Sequence, residues 1–490
     1  MKLLKFTTLS IALMLCGSLQ AEIPLKITRG QQDTVYNKKH YIVAVTKAGK
    51  SVTINGTPTK VYKSGAFGTQ LTLNEGNNSI EIRIKDGNEE RIERFNVFYS
   101  AQTPAGERYS LSEASALIEQ NRLKKLKFNA ISQEGAYLQY GDGSDRLGGS
   151  KMGFIDKDIT FKVIGEIGDL YKVQLSSNRF AFMPKEYLLP TDKEIQCINT
   201  GSWRVVNAGD FDRVSITLPQ RLPYYSWMQL DPTILCIELY GAMNNSNWIT
   251  QKEGLKMIDY VDFRQVESDV YQVIIKLQKQ YAWGYEIGYE GNNLIIKVKH
   301  TPSLFLKDMI IGLDAGHGGE YSGAVSATGL TEKEVNLQLV NEVKAMLESK
   351  GSKVVLSRDA DFDISMKDRK KIFKENNVDL MLSIHNNAGG SPLEPMGTST
   401  YYKHICNRPL AATLLNRLLE LGMPNYGLTG NFNFSLNAPT EYPNALLEIL
   451  FMSSLPDEEL LLDANYRKKI ARQIVLGLED YLKTVRESEK

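Results

Sequence analysis

The pattern of hydrophobic and polar positions changes once along the chain, near Lys307. Before this point, short segments such as residues 80–84 alternate apolar and polar side chains, and the dipeptides Asn55-Gly56 and Asp86-Gly87 separate them as hairpin turns. After it, apolar runs alternate with segments that carry hydrophobic residues at helical spacing. The sequence therefore predicts all-β modules followed by a C-terminal α/β domain with a mainly parallel sheet.

The predicted α/β domain, residues 307–486, contains five apolar runs and four helical patterns. The expected strands are residues 309–313, 353–356, 378–384, 398–402 and 445–451, and the expected helices are residues 332–350, 365–376, 410–421 and 456–482. Enzymes of this architecture bind their ligands beyond the carboxyl ends of the parallel strands. Candidate chemistry is therefore expected where these strands end.

Two of the five histidines follow strands of this domain. His317 lies in DAGHGG after the first expected strand, and His385 ends the third in LSIHNNA. Because parallel strands end at one edge of a sheet, the two imidazoles are expected close enough to bind one metal ion; a hydrogen-bonded loop histidine is the alternative for each alone. The glycines around His317 leave room for a metal and a substrate over the loop. Phosphate binding is disfavoured, because neither the P-loop ending nor GxGxxG is present.

Two glutamates complete the candidate site. Catalytic zinc commonly has two histidines and a carboxylate as ligands, and Glu332 is the candidate for the third position, whereas Glu334 fits a capping box at the start of the same helix. Glu448 is the only charged residue of the apolar run NALLEILFM. A buried carboxylate there is suited to general base and acid catalysis. A salt bridge to a core arginine such as Arg358 is the alternative.

The segments DAGHGG, TEKEVNL, LSIHNNA and ALLEILFMS, in this order, resemble the zinc-dependent N-acetylmuramoyl-L-alanine amidases of the Amidase_3 type. This resemblance covers about residues 309–482. It implies that His317, Glu332 and His385 bind Zn²⁺, that Glu448 is the catalytic residue, and that zinc-activated water cleaves the amide between N-acetylmuramic acid and the L-alanine of the peptidoglycan stem peptide. Leu450 and Ser454 depart from the usual family residues, which affects expectations about substrate contacts only.

Two other functions stay open. A zinc peptidase acting on cell-wall peptides would use the same metal chemistry, although the motif HExxH is absent. An inactive wall-binding or regulatory homologue would keep the fold but not the activity. The presence of suitable residues at all four catalytic positions favours an active enzyme.

Three β-rich regions precede the α/β domain. The first β region, residues 22–101, has a layout similar to immunoglobulin-like sandwiches, and residues 102–127 are expected to form a linker or helix. The second β region, residues 128–191, resembles a bacterial SH3 domain, which either binds cell-wall peptides or serves as a spacer. The third β region, residues 195–300, resembles the AMIN domain that targets periplasmic amidases to the envelope. These modules offer surfaces for envelope or cell-division partners.

Composition excludes some classes of partner. The chain has 490 residues, 42% of them hydrophobic, and its 58 basic and 57 acidic side chains give a net charge of +1. This length exceeds what one hydrophobic core usually organises, so several domains are expected. A nearly neutral chain has no general attraction for nucleic acid or for an anionic membrane.

The amino terminus has the layout of a secretory signal peptide, residues 1–21. Two lysines precede an apolar run that is shorter than the ~20 residues needed to span a bilayer, and Ala21 suits cleavage. Leu15 before Cys16 departs from a lipobox, which disfavours a lipoprotein. No later segment has 18 uninterrupted apolar residues, so we expect an exported protein of the periplasm or cell envelope, without a transmembrane segment after cleavage.

Three cysteines remain after the predicted cleavage: Cys197, Cys236 and Cys406. An odd number allows at most one disulfide within the chain. Cys197 with Cys236 is the pair favoured by their position in one region, and three free thiols are the alternative.

Overall fold

The computed structural model describes residues 23–102, 123–142 and 151–489. These residues form two compact units, one that ends before residue 104 and one that follows it. The predicted signal peptide and residues 103–122 of the predicted linker lie outside the described residues. Residues 124–127, expected to end the linker, instead begin a strand.

The first unit consists of two sheets that share one hydrophobic core. Its sheets have the strand orders β1-β3-β6 and β2-β8-β7-β4-β5. Asn55 and Gly56, both with positive φ, form the turn between β4 and β5, as the sequence predicts. The strands are β1 (Lys26–Arg29), β2 (Thr34–Val35), β3 (Lys39–Val45), β4 (Ser51–Ile54), β5 (Thr57–Thr59), β6 (Ala66–Thr72), β7 (Gly76–Asp86) and β8 (Glu89–Tyr99).

The second β region forms one sheet with the order β11-β10-β14-β13-β12-β9-β15. The pairings given for its neighbouring strands are antiparallel. Its strands are β9 (Lys124–Ser132), β10 (Tyr137–Gln139), β11 (Lys151–Phe154), β12 (Thr160–Ile167), β13 (Leu170–Gln174), β14 (Phe180–Pro184) and β15 (Leu188–Thr191).

The third β region has sheets with the orders β22-β17-β18-β26-β25, β19-β20-β24-β23 and β16-β21. One continuous hydrophobic core joins it to the second β region, since Phe161 and Val173 belong to the same buried cluster as Trp203 and Val273. Its strands are β16 (Ile198–Asn199), β17 (Trp203–Asn207), β18 (Phe211–Ile216), β19 (Tyr224–Gln229), β20 (Ile234–Tyr240), β21 (Ala242–Met243), β22 (Ile249–Gln251), β23 (Ile258–Glu267), β24 (Val270–Leu277), β25 (Tyr285–Glu290) and β26 (Asn293–Lys299).

The α/β domain contains a six-stranded sheet with the order β28-β27-β29-β32-β30-β31. Neighbouring strands are parallel except for β30 and β32, which are antiparallel. The strands are β27 (Ile310–Ala315), β28 (Lys353–Leu356), β29 (Leu380–Asn387), β30 (Thr398–Tyr401), β31 (Asn425–Thr429) and β32 (Asn444–Phe451). The sequence pattern predicts all of them except β31, an edge strand with the polar sequence NYGLT.

Five α-helices accompany this sheet in the described part of the domain: α1 (Glu332–Ser349), α2 (Met366–Glu375), α3 (Arg408–Leu419), α4 (Leu455–Leu462) and α5 (Ala464–Ser488). The single helix predicted over residues 456–482 is wrong, because Asp463 has extended backbone and its side chain caps the second of two helices. No helix in the described ranges is both long enough and apolar enough to span a bilayer.

The α/β domain and the third β region share buried residues. Trp283, just before β25, is fully buried in the core of the α/β domain and stacks on Tyr481 of α5, with ring centroids 6.1 Å apart. The backbone N–H of Tyr285 donates to the carbonyl of Thr440 at 2.7 Å. Residues 123–142 and 151–489 therefore pack as one body rather than as separate modules. Cys197, Cys236 and Cys406 are free thiols in it.

Candidate metal centre and active site

The structure brings together His317, Glu332 and His385. Their candidate ligand atoms lie within 4.8 Å of one another, and no other group of three His, Cys, Asp or Glu side chains in the described residues could hold a metal ion. Glu332 Oε2 lies 3.1 Å from His317 Nε2, and Glu332 Oε1 lies 3.0 Å from His385 Nδ1. Two imidazoles and one carboxylate form a common ligand set of catalytic zinc.

Strand order accounts for this convergence. β27 and β29 are adjacent and parallel, so the loop after β27 that carries His317 begins beside the carboxyl end of β29, which carries His385. Glu332 is the first residue of α1, which returns the chain from that loop. Glu334 accepts hydrogen bonds from the backbone N–H and the hydroxyl of Thr331, as the capping-box prediction requires. The helix start is thus capped without Glu332.

The glycines around His317 lack side chains where other residues of the protein pack against the loop. A Cβ on Gly316 would lie 2.2 Å from the ring of His385, and one on Gly319, whose φ is +57°, would lie 2.3 Å from the carboxyl carbon of Asp363. At both positions the space that a side chain would need is filled by the protein itself, by the His385 ring and by Asp363. The glycines allow the loop to pack tightly against its ligand partner on one side and residues 358–363 on the other.

Two buried arginines hold the backbone of the His317 loop. Arg369 donates to the carbonyl of His317 at 2.6 Å and to the carboxylate of Asp314 at 2.6 Å. Arg358 donates to the carbonyls of Ala315 and Gly316 at 2.9 and 3.0 Å. Both arginines are only 2% exposed. Sequence reasoning missed their roles, because the loop carbonyls that they contact lie at least 42 residues earlier in the chain and the two arginines match no motif.

The carboxylate of Glu332 is held in its charged form. Backbone N–H groups of Asn386 and Ala324 donate to its two oxygens at 3.1 and 2.9 Å. Burial raises its pKa, but the hydrogen bonds of His317 and His385 outweigh burial and hold that pKa well below its usual range. Burial lowers the pKa of His385, whereas the hydrogen bond to Glu332 and the charge of Glu448 raise it, giving about 8. The Glu332 carboxylate thus bridges the two imidazoles.

Glu448 lies in β32, every residue of which is buried. It is in register with His385 on one neighbouring strand and with Ser399 on the other. Its side chain is 9% exposed overall, and its Oε2 atom has no hydrogen-bond partner in the described residues. Burial raises the pKa of Glu448 to about 8. The predicted alternative, a salt bridge to Arg358, is not formed, because that guanidinium contacts backbone carbonyls instead.

The cluster is reachable from outside the domain. The His317 side chain is 32% exposed, and Tyr321 and Val325 of the following loop are exposed. On the other side, residues 388–397 contain no helix. Asp457 anchors the end of this segment by accepting hydrogen bonds from the backbone N–H groups of Met396 and Gly397.

The other three histidines have partners of their own. His40 bonds to the carbonyl of Gly30, His300 pairs with Asp212, and His404 bonds to the carbonyl of Ala438. None belongs to a metal-binding group within the described residues. His404 therefore serves as a comparison for His317 and His385.

Comparison with known proteins gives consistent results. Residues 311–480 match the model of the family Amidase_3, N-acetylmuramoyl-L-alanine amidase. The chain is 32% identical over 173 residues to the uncharacterized protein YqiI of Bacillus subtilis, covering 34% of this chain and 82% of YqiI. It is 31% identical over 214 residues to the probable cell wall amidase LytH of Staphylococcus saprophyticus, covering 43% of this chain and 70% of LytH.

A third relative and one solved structure complete the comparison. The chain is 33% identical over 210 residues to N-acetylmuramoyl-L-alanine amidase LytC of Bacillus subtilis, covering 40% of this chain and 42% of LytC. The solved catalytic domain of CwlV, an N-acetylmuramoyl-L-alanine amidase from Bacillus (Paenibacillus) polymyxa var. colistinus, is 30% identical. That match covers 36% of this chain and 98% of the CwlV domain, with a TM-score of 0.34.

Proposed function

Because this chain belongs to the Amidase_3 family of N-acetylmuramoyl-L-alanine amidases and is a peptidoglycan hydrolase, we propose that His317, Glu332 and His385 hold a catalytic zinc ion and that Glu448 is the catalytic proton carrier. The bond cleaved is the amide between N-acetylmuramic acid and the L-alanine of the stem peptide. The observation that carries the proposal is a ligand-competent triad directly beside a buried carboxyl group with an unpartnered oxygen.

The residues present fit zinc. The donor set is two imidazoles and one carboxylate, which is typical of catalytic zinc and leaves a coordination position for water. When bound, zinc supplies Lewis-acid activation of water and of the amide carbonyl. The N–H donors from Asn386 and Ala324 orient the Glu332 carboxylate, as hydrogen-bonding partners of metal ligands commonly do.

Glu448 is placed to move the proton. Its register position opposite His385 puts its carboxyl group beside the cluster, and burial leaves its Oε2 atom without another partner in the described residues, so that it is available for proton transfer. It takes the proton of the attacking water and delivers it to the amide nitrogen as the C–N bond breaks. Arg358 and Arg369 act as positioning residues, because they fix the loop that bears His317.

The experiment that tests this function is digestion of purified sacculi by the full chain, with products identified by mass. An amidase releases intact stem peptides and leaves unmodified glycan strands. Products cut within the peptide would establish the zinc peptidase alternative instead, and no products under zinc-replete conditions would support the inactive wall-binding alternative. Zinc content of the purified protein, measured in parallel, tests the metal assignment separately from the reaction.

We also propose that the regions outside the catalytic domain direct it to its substrate. The second β region fits an SH3-like module and the third an AMIN-like module by their strand patterns, and residues 1–21 fit an export signal. The site of action is then the periplasm or cell envelope, and the first β region an immunoglobulin-like spacer. Localisation of the full chain and of a variant lacking residues 2–21 tests the export step.

A further inference from the structure

A cavity lies within the body formed by residues 123–142 and 151–489. Its volume is about 610 Å³, and three regions line it: β11 of the second β region, β19 and β25 of the third, and α2 with residues 438–442 of the α/β domain. Aromatic side chains form much of the wall, among them Phe154, Tyr225, Tyr285 and Tyr442.

This cavity is distinct from the metal cluster. Residues 438–442 precede β32, and Lys403 follows β30, which runs antiparallel to β32. Both segments therefore lie toward the end of β32 opposite to Glu448. From Tyr442 to Glu448 the chain advances six residues, roughly 20 Å at about 3.3 Å per extended residue. A ligand in the cavity does not have to compete for the catalytic residues.

Lysines without counterions distinguish the cavity. Lys370 and Lys403 line it and Lys151 lies beside it; all three are half-buried, and none forms a salt bridge with a carboxylate of the described residues. Lys151 and Lys370 instead lie over aromatic rings, 4.1 Å from the centroid of Tyr137 and 4.3 Å from that of Phe154.

The carboxylates of the cavity are already used by other lysines. Lys374 bridges Glu286 and Glu441 at 2.9 and 3.0 Å. Glu375 lies 3.8 Å from the ammonium of Lys371. The acids that line the cavity are therefore paired with Lys371 and Lys374, although Glu441 also acts on Lys370 at longer range. The remaining positive charge, at Lys403 above all, is left for a ligand.

Crowding makes these charges costly to the folded protein. Burial and the charges of Lys151 and Lys370 lower the pKa of Lys403 to about 8. Burial and the charge of Lys151 also lower the pKa of Lys370. Like charges held together in a partly desolvated site raise the free energy of the folded state, and a bound anion removes that penalty.

We propose that this cavity binds an acidic peptide, with Lys151, Lys370 and Lys403 contacting its carboxylates and the aromatic wall contacting its side chains. The volume is in the range of small-ligand sites. The unpaired lysines come from three segments of the chain: Lys151 begins β11, Lys370 lies on α2 and Lys403 follows β30. Single ammonium groups from different segments along apolar walls suit the carboxylates of a peptide, whereas forked arginines or a glycine-rich loop would be expected for one compact phosphate.

Calorimetric titration of the full chain tests this inference. The probe is the peptide acetyl-Ala-Glu-Ala-Glu with a free carboxyl terminus, and its control is the amidated acetyl-Ala-Gln-Ala-Gln. A chelator is present throughout, so that the metal cluster takes no part and failure of the zinc assignment leaves the result unaffected. We expect the acidic peptide to bind, and the neutral peptide to bind at least tenfold more weakly.

Matched variants locate the binding site. Lys370→Gln and Lys403→Gln should each weaken binding about tenfold, whereas Lys344→Gln, which removes a half-buried lysine paired with Glu348 on α1 and outside the cavity, should leave it unchanged. Equal binding of the neutral peptide, or full binding by both cavity variants, overturns the inference. A glycerol phosphate oligomer that binds through these lysines when the peptide does not also overturns it, in favour of a phosphate polymer. Thermal unfolding of each variant verifies its fold.

Discussion

Glu448 is the only charged residue of β32, at a position where neither packing nor ion pairing explains it. Its Oε2 atom is unpartnered within the described residues, while the arginine that might have neutralised it holds loop backbone instead. A buried polar group in this state costs stability, so it is retained for another purpose. The effects of substituting it separate that purpose from a structural one.

Glu448→Gln should retain the fold and the zinc content while the rate of amide cleavage falls by about 10²–10⁴-fold, since the amide keeps the volume and loses the basicity. Turnover on solubilised peptidoglycan fragments and metal content on the same preparation provide the measurement. A near-native rate would mean that the proton carrier is another group.

His317→Ala and His385→Ala should each lose zinc and activity together, because the removal of one of three protein ligands removes both affinity and geometry. Metal analysis after dialysis measures the first effect and fragment digestion the second. The control is His404→Asn, which changes a histidine bonded to the carbonyl of Ala438 outside the cluster. Full zinc occupancy in His317→Ala would contradict the assignment.

Lys403 should make the stability of the protein depend on pH in the alkaline range. Its pKa is about 8 in the folded state against an ordinary value of 10.5, because burial and the neighbouring Lys151 and Lys370 disfavour its charge. Between these values the unfolded chain binds more protons, so the free energy of unfolding increases as the pH rises from about 8 to 10.5. Below about pH 8 Lys403 is protonated in both states, and its unfavourable charge then lowers the free energy of unfolding by its full amount.

The substitution Lys403→Met should therefore stabilise the protein at pH 7, and the difference from the parent should shrink towards pH 10. Denaturant unfolding at several pH values measures it. Lys344→Met serves as the matched control, since its ammonium is paired with Glu348. A difference that does not vary with pH would show that Lys403 is not crowded by like charge.

At the scale of helices and strands, sequence pattern predicted most of the α/β domain because most of its strands contain apolar runs and most of its helices begin at a Ser, Thr or Asp cap. β31 escaped because an edge strand with one paired side carries the polar sequence NYGLT. The break between α4 and α5 escaped because both helices have apolar residues at helical spacing on either side of Asp463. Local sequence patterns thus identify helices and strands that bury one face, but they miss edge strands and breaks between consecutive helices.

The break itself is testable. The Asp463 side chain accepts a hydrogen bond from the backbone N–H of Asn465 at 2.8 Å. Asp463→Ala should lower the free energy of unfolding by about 1 kcal/mol, as the loss of an N-cap typically does. Lys469→Ala, an exposed change within the same helix, should have little effect. Denaturant melts of both variants measure the difference, and equal stability would mean that the cap contributes nothing.

The strand ends illustrate what the sequence can say about a site. His317 and His385 were predicted as neighbours because parallel strands end at one edge, and the structure brings their rings to 4.9 Å between centroids. Arg358 and Arg369 were not predicted, because their partners are backbone carbonyls more than 40 residues away and carbonyls leave no trace in a sequence. The positions of the candidate metal ligands can be predicted from the order of the strands. The residues that hold those ligands in place can be identified only from the packing of the folded chain.

At the scale of the whole molecule, the described residues after 122 do not form a catalytic domain with detachable modules. Trp283 belongs by sequence to the third β region and by packing to the core of the α/β domain. This packing could not be predicted, since a single tryptophan in a β-rich segment satisfies its own strand pattern. A fragment starting at Lys307 would lack Trp283 and would leave the face of Tyr481 on which it stacks uncovered.

Trp283→Ala should consequently lower the free energy of unfolding by about 3–5 kcal/mol, the usual range for truncating a large aromatic residue in a core. Trp248→Ala should cost far less, because the Trp248 side chain is 68% exposed. Melts followed by circular dichroism compare the two. Equal losses would show that the third β region contributes no more to the stability of the α/β domain than an exposed surface residue does.

The hydrogen bonds from Arg358 and Arg369 to the His317 loop also bear on how the enzyme responds to its surroundings. Buried guanidinium groups and backbone N–H donors hold the segments that bear His317 and Glu332, so contacts within the protein set the arrangement of the cluster. If the cluster binds zinc as proposed, loss of zinc should empty the site without dismantling the domain. Such an enzyme would follow the metal supply around it, idle in scarcity and active again on replenishment, with no need for new synthesis.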